Sequence, residues 1–290
     1  MTLEQRLAGW TGPSSDTEQA KQERTERMVR EAVSSHTALS ECGLTVYTKG
    51  SYPNNTNVRS DSDVDVGVQC TELFYFDGNH SSTSIYRGSW NPSTLRSELV
   101  KALQVKFPGQ VDTSGSTAIR VHSSTARVDA DVVPCFNYRY YFQDGSYHEG
   151  AKTFKKDNSS SLINYPAQHL ANGRVKNART NSNYKKAVRI LKRVENLMYT
   201  SNYHRVVPSF FIECLAYNCP DTVFMKSTWT DVVKEMLAHV WAELQGDTEP
   251  ASGRWLEVNE AKYLFFSAQA WSRKDGREFA KAAWNYLELS

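Results

Sequence analysis

No stretch of the chain approaches the roughly 18 to 20 consecutive apolar residues that a membrane span requires. The opening residues Met1-Thr2-Leu3-Glu4-Gln5-Arg6 hold no apolar signal region. A protein neither inserted in a membrane nor exported by a standard signal, and so cytoplasmic, is the expectation. An excess of one charge is also missing. The 34 basic and 32 acidic residues nearly cancel, which excludes the global field of a non-specific nucleic-acid binder and confines any basic site to a local patch. The five cysteines (Cys42, Cys70, Cys135, Cys214, Cys219) form no CxxC pair and sit mostly in apolar runs such as Phe211-Ile212-Glu213-Cys214-Leu215. They read as reduced core thiols, not as a disulfide framework. Internal repeats, low-complexity tracts and disorder-prone composition are absent, and 290 residues can bury a large core as one big domain or as two lobes.

The segment from Asp16 to His36 is rich in Glu, Gln, Lys, Arg and Ala and lacks Gly and Pro. It predicts a long helix with Ser15 or Asp16 at its N-cap, packed as a spine across the back of the protein. Short β-like runs follow at Leu44–Tyr47, Val64–Val68, Ala118–Val121 and Ala126–Val133, with a helix over Ser93–Phe107 between the second and third. From Asn137 to Ala178, Gly145, Gly150, Pro166 and Gly173 stand among scattered Tyr, Ser and Asn, which reads as a loop-rich connector lining a surface. Helical patterns then cover Asn183–Tyr199, Ser209–Asn218, Trp229–Leu244, Asn259–Trp271 and Arg273–Leu289. The fold expected is α+β, with an α+β front part over residues 1–165 and a helical lobe over 166–290. The boundary between two such lobes is a usual place for a ligand cleft.

The chemistry concentrates in the stretch from Lys49 to Val68, KGSYPNNTNVRSDSDVDVGV. Side chains alternate along a strand, so Asp63 and Asp65 project from one face and can bind the same metal ions. Gly50 lets the backbone approach a ligand closely. Ser51 adds a hydroxyl and an amide N–H suited to phosphate oxygens, particularly if a helix begins there. A third carboxylate is expected on a neighbouring strand, where Asp129 and Asp131 are two apart and face the same way, so periodicity does not choose between them. A bare DxD is commonly a solvated turn. The conjunction of Gly-Ser, a spacer of about 12 residues, DxD on a strand and a later strand Asp is far more specific.

These residues resemble the nucleotidyltransferase superfamily of DNA polymerase β type, and more closely the cGAS/DncV-like nucleotidyltransferases (CD-NTases) of bacterial CBASS anti-phage systems, in particular clade E, the CdnE enzymes. The likeness runs from Leu7-Ala8-Gly9-Trp10 through Gly50-Ser51-Tyr52, Asn57-Val58-Arg59, Asp61–Val66 and Ala130–Val133. It continues through Ile163–Pro166, His169, Asn172-Gly173, Lys176-Asn177, Thr180-Asn181, Arg189–Lys192 and Pro208–Leu215. It implies a polymerase β-type core with an N-terminal spine helix and a C-terminal helical lobe closing the active-site cleft. The family's three metal ligands fall on Asp63, Asp65 and Asp131, which selects Asp131 over Asp129. Its phosphate-gripping lysine and serine fall on Lys192 and Ser209, and both choices suit an anion. The plainer reading of Lys192 is one more solvated charge among Lys185, Lys186, Arg189 and Arg193. Asn164 falls where similar clade E enzymes carry an Asn that reads the base and favours uracil. The plainer reading of Asn164 is a turn residue before Tyr165-Pro166. His169 reads as structural or as part of a cleft wall.

The resemblance implies catalysis with two Mg²⁺ ions, or Mn²⁺ in their place, joining nucleoside triphosphates (UTP, with ATP or CTP as the other candidates) into a 3′,5′-linked cyclic dinucleotide with release of pyrophosphate. The product would be a second messenger read by a downstream effector. The same residues also fit a nucleotidyltransferase that makes linear oligonucleotides or modifies RNA or protein, and, more weakly, a degenerate nucleotide-binding module. No RNA-binding domain and no Cys/His zinc cluster is apparent, so neither a CCA-adding enzyme nor a DNA-activated sensor is expected, and no obligatory nucleic-acid activator. The basic stretch Lys152, Lys155, Lys156, Arg174, Lys176 and Arg179 is expected to face the cleft or solvent, not a duplex.

Overall fold

The structure, a computed structural model, describes residues 1–58, 63–78 and 88–289. Arg59, Ser60, Asp61 and Ser62 of the motif therefore lie outside the described residues. In chain order the helices are α1 (Leu3–Gly9), α2 (Asp16–Ser34), α3 (Thr37–Ser40), α4 (Pro92–Lys106), α5 (Pro166–Arg179), α6 (Asn183–Thr200), α7 (Ser209–Tyr217), α8 (Trp229–Glu243) and α9 (Arg273–Tyr286). The strands are β1 (Leu44–Lys49), β2 (Val64–Gly78), β3 (Val111–Asp112), β4 (Ile119–Val121), β5 (Ala130–Tyr141), β6 (Tyr147–Phe154) and β7 (Ser161–Asn164). The chain divides into an α/β unit, Ser14–Pro53 with Arg59–Pro166, and a helical unit, Met1–Pro13 with Asn54–Val58 and Ala167–Ser290. Among the described residues no helix is long and apolar enough to cross a membrane.

In the α/β unit a seven-stranded sheet runs β1-β2-β5-β4-β3, with β6 added to β5 and β7 to β6. Only the central pair, β2 with β5, is parallel among these pairings. Period-2 alternation turns Val64, Val66 and Val68 fully inward, into a core shared with Val29 and Val33 of α2 and Leu95, Leu99 and Leu103 of α4. Burying three Val side chains contributes about 5 to 9 kcal/mol, as an upper estimate. This burial fixes the register that sends Asp63 and Asp65 to the other face. The spine helix begins where the sequence indicates. Ser15 and Glu18 form a reciprocal capping box at the start of α2, satisfying two backbone donors that the first turn leaves open.

The helical unit packs α1 and α6–α9 around Tyr184, Leu191, Phe211, Leu215, Phe224, Met236 and Phe279. Leu7 of α1 enters this core, and the Glu4 carboxylate receives the Trp229 and Thr230 N–H groups at the start of α8. All five cysteines are buried and free.

Two expectations are corrected. Residues 137–178 are not a loop-rich connector, because they hold the second half of β5, then β6, β7 and α5. Much of this sheet extension is solvated, so β6 shows no clean apolar alternation and buries little beyond Ala151 and Thr153. The Asp144-Gly145 turn, with Gly145 at φ 83°, lies in the short connection between β5 and β6, and that dipeptide between tyrosine-rich runs was a readable hairpin signal. Residues 259–271 are not helical either. The Asn259 side chain accepts the Ala261 and Lys262 N–H groups, an Asx turn that competes with helix, and Leu256 bridges Tyr263.

Candidate active site

Within the α/β unit the β2–β5 register sets Asp65 directly beside Asp131, and Asp63 precedes Asp65 by two residues. Asp129 lies outside β5. Its carboxylate is occupied by the Arg120 guanidinium at 2.8 Å and by the Ser123 N–H. These bonds outweigh burial and hold it below the ordinary carboxylate range. The same Arg120 nitrogen lies 2.8 Å from Asp63 Oδ2.

Asp63 and Asp65 both stand above the ordinary carboxylate range. Burial raises the Asp63 pKa, Arg120 opposes the rise, and Asp129, Asp131 and Asp65 add to it. Burial also raises that of Asp65, with Lys49 opposing and Asp131 adding. Asp63 and Asp65, reluctant to ionise, and Asp131 beside Asp65 are a fitting donor set for a hard divalent cation, which would supply positive charge. Among the described residues no group of three or more Asp, Glu, His or Cys is arranged so that it could hold a metal ion. Arg120 instead serves as the cation for Asp63.

Gly50 follows β1 with φ 75°. A Cβ there would overlap Asp65 Oδ2 and come within 3.3 Å of its Cγ, so only glycine lets the turn close over this carboxylate. No helix begins at Ser51, and residues 51–55 form a turn. Asn164 ends β7 opposite Ala151. It is exposed, and among the described residues its amide has no hydrogen-bond partner. A strand position with an idle amide does not match a turn-forming role.

Within the helical unit Lys192 is not a solvated charge. It is 3% exposed, and its ammonium donates to Glu213 Oε2 at 3.0 Å and Thr56 Oγ1 at 3.2 Å. Thr56 also donates to Glu213 Oε2, while Asn54 and His169 reach Oε1 at 2.8 and 2.9 Å. Burial alone would raise the Glu213 pKa, but Lys192 and His169 hold it well below the carboxylate range. His169 is thus part of a structural network. Ser209 is exposed at the first turn of α7 and makes no side-chain cap bond there. Of the basic stretch, Lys176 is not free, because it is buried against the Cys219 carbonyl and the Asp221 carboxylate. Arg179 shares Asp221.

Sequence reasoning passed over Arg120, Glu213, Asn54 and Thr56. Glu213 had a visible signal, a lone acid inside Phe210-Phe211-Ile212-Glu213-Cys214-Leu215. Such a charge is buried only when paired.

The family model for the cGAS/DncV-like nucleotidyltransferase C-terminal helical domain matches residues 171–288. The cyclic dipyrimidine nucleotide synthase CdnE of Cecembia lonarensis is 35% identical over 293 residues, covering 99% of this chain and 98% of that protein. The structure of Elizabethkingia meningoseptica CdnE cyclic dinucleotide synthase with GTP and Apcpp matches at TM-score 0.82 and 30% identity, covering 98% of both chains. That of the Rhodothermus marinus CdnE c-UMP-AMP synthase with Apcpp and Upnpp matches at TM-score 0.82 and 26% identity, covering 99% of this chain and 97% of the other. The chain belongs to the cGAS/DncV-like nucleotidyltransferases, within the CdnE cyclic dinucleotide synthases.

Proposed function

We propose that this enzyme joins two nucleoside triphosphates, UTP among them, into a pyrimidine-containing 3′,5′-linked cyclic dinucleotide, releasing pyrophosphate at each step. The observation that carries the reading is the strand register that sets Asp65 beside Asp131, with Asp63 immediately before β2 and two residues ahead of Asp65. Held by Asp63, Asp65 and Asp131, magnesium or manganese would neutralise phosphate charge and acidify the attacking hydroxyl. The chain's own residues bind and orient the reactants. Gly50 keeps the backbone close to Asp65, and Ser51 offers a hydroxyl and an N–H to phosphate oxygens.

The ribose 3′-oxygen forms the new bond to the α-phosphorus, the bond to the β-phosphate oxygen breaks, and Asp131 takes the hydroxyl proton. A second such step, with the linear intermediate turned round, closes the ring. Lys192 and Ser209 complete the phosphate grip, the first by sharing its ammonium between Glu213 and phosphate, the second through its exposed hydroxyl at the start of α7.

Asn164 reads the base. Its amide can donate to a uracil carbonyl and accept from N3–H together, and it has no other hydrogen bond among the described residues. The dipyrimidine specificity named for the Cecembia relative supports this choice. The product would act in the cytoplasm as a second messenger of anti-phage defence, read by a separate effector. The test is incubation with the four radiolabelled triphosphates, singly and in pairs, followed by phosphatase and mass spectrometry. A phosphatase-resistant cyclic product containing uridine is expected. A linear, phosphatase-sensitive product, or one free of uridine, contradicts the reading.

A further inference from the structure

Arg120 stands on β4 directly opposite Asp131 of β5, which in turn lies beside Asp65 of β2. Paired residues of neighbouring strands share a face, so Arg120 leaves the sheet on the side of those two acids. There a single guanidinium nitrogen, Nη2, donates to two carboxylates at once, Asp63 Oδ2 and Asp129 Oδ2, each at 2.8 Å. The two acceptors are held unequally. Asp129 Oδ1 also receives the Ser123 N–H, its backbone carbonyl receives the Val64 N–H at 3.0 Å, and the Val128 N–H just before it donates to Thr25 Oγ1 at 3.1 Å. Asp63 lies just before β2, and among the described residues Arg120 is the one side-chain partner of its carboxylate.

A guanidinium and a divalent cation seek the same carboxylate oxygens. A metal that draws on Asp63 therefore has to take it from Arg120. A cation released with no other acceptor would be left without its counter-charge, which makes such a release costly. Here the cost is small, because the nitrogen that lets go of Asp63 is already bonded to Asp129. The exchange is also open to water. The side chains of Arg120 and Asp63 are each 41% exposed, so their pair has the modest strength of a surface ion pair and not that of one sealed in the interior. Of its two acceptors, Arg120 keeps the one that backbone and Ser123 fix in place and gives up the one that nothing else holds.

We propose that Arg120 is a positioning residue that holds Asp63 in the metal-free enzyme and yields it to the divalent cation, with Asp129 as the seat that retains Arg120 once Asp63 is released. This rests on the metal reading above, in which Asp63, Asp65 and Asp131 hold the cation. Two effects of opposite sign follow. Arg120 competes with the metal, so its removal tightens metal binding. Asp129, although not a ligand, assists metal binding by drawing Arg120 away from Asp63, and this assistance exists only while Arg120 is present. Plain attraction between the Asp129 charge and the metal would act with or without Arg120, so the coupling between the two residues separates the two cases.

The test is titration of the full chain with Mn²⁺ in the absence of nucleotide, following the electron paramagnetic resonance of the free ion at low ionic strength, where exposed charges are least screened. Wild type should bind Mn²⁺ saturably, and Asp65→Asn should lose that binding. Arg120→Gln should tighten it about threefold, Asp129→Asn should weaken it about threefold, and the double variant should match Arg120→Gln to within about 1.5-fold. Unchanged affinity in Asp129→Asn, which keeps Arg120, overturns the proposal. So does weakening by Asp129→Asn of equal size with and without Arg120, or weaker binding by an Arg120→Gln protein that retains native near-ultraviolet dichroism. Each of these results, with binding still dependent on Asp65, leaves the metal site standing. Absence of saturable binding in wild type, or binding that Asp65→Asn leaves unchanged, contradicts the metal reading itself, and the role of Arg120 falls with it.

Discussion

Gly50→Ala inserts one methyl group between the end of β1 and the Asp65 carboxylate. Two costs add. An L-residue held at φ 75° pays about 1 to 2 kcal/mol for left-handed backbone. The new Cβ overlaps Asp65 Oδ2 and approaches Cγ at 3.3 Å, an overpacking worth about 1 to 3 kcal/mol if the carboxylate holds its place. Urea denaturation of the metal-free protein should therefore register a loss of about 2 to 5 kcal/mol, together with loss of nucleotide joining as Asp65 is displaced. The two costs separate in a double-mutant cycle. In an Asp65→Ala background only the backbone penalty remains, so Gly50→Ala should cost about 1 to 2 kcal/mol there, and the difference is the coupling energy. A Gly50→Ala protein within about 0.5 kcal/mol of wild type, or a cycle with no coupling, would refute the account of why glycine stands at this position.

Glu213→Gln should destabilise by about 3 to 5 kcal/mol, because Lys192 is left buried without its counter-charge; Lys192→Met combined with Glu213→Gln should cost less than the sum of the single changes. Since the folded-state pKa of Glu213 lies below its ordinary value near 4.5, its contribution is fully present above that pH and declines as pH falls below it. Acid-unfolding curves of wild type and Glu213→Gln should converge on acidification, and parallel curves would contradict the pairing. Asp65→Asn should abolish nucleotide joining while leaving the metal-free protein at least as stable as wild type, since it removes a carboxylate whose ionisation burial and Asp131 oppose; thermal melts in chelator test this, and a clear drop in melting temperature would count against it. Asn164→Ser should lose uridine incorporation by about tenfold or more and gain purine products, which competition among the four triphosphates would reveal; unchanged products would return Asn164 to a purely structural role.

Much of the α/β unit was legible because its buried elements carry strong periodic signals. The alternation from Val64 to Val68 located the core strand, and Ser15 with Glu18 marked the start of α2. Where burial is partial the signal faded. Strands β6 and β7 lie on a solvated extension of the sheet, so their Tyr, Ser and Lys content resembled loop. The stretch after Asn259 resembled helix by composition, yet the Asn259 side chain captured the backbone donors a helix would have used. The site divides similarly. The acid positions at β2 and β5 follow from spacing once the strands are known, but choosing Asp131 over Asp129 needed the family resemblance, since Arg120 bonds Asp63 and Asp129 alike. The Glu213 network joins residues as distant as Asn54 and Lys192, and no local pattern encodes that meeting.

The central claim is that Asp63, Asp65 and Asp131, rather than Asp129, carry nucleotidyl transfer. Pyrophosphate release from the four triphosphates with Mg²⁺ tests it most directly when wild type, Asp131→Asn and Asp129→Asn are measured side by side, each verified as folded by circular dichroism. Wild type should release pyrophosphate, Asp131→Asn should fall to background, and Asp129→Asn should retain a measurable rate, since its carboxylate is bound to Arg120 and the Ser123 amide. Near-normal release by Asp131→Asn, or loss confined to Asp129→Asn, would contradict the account.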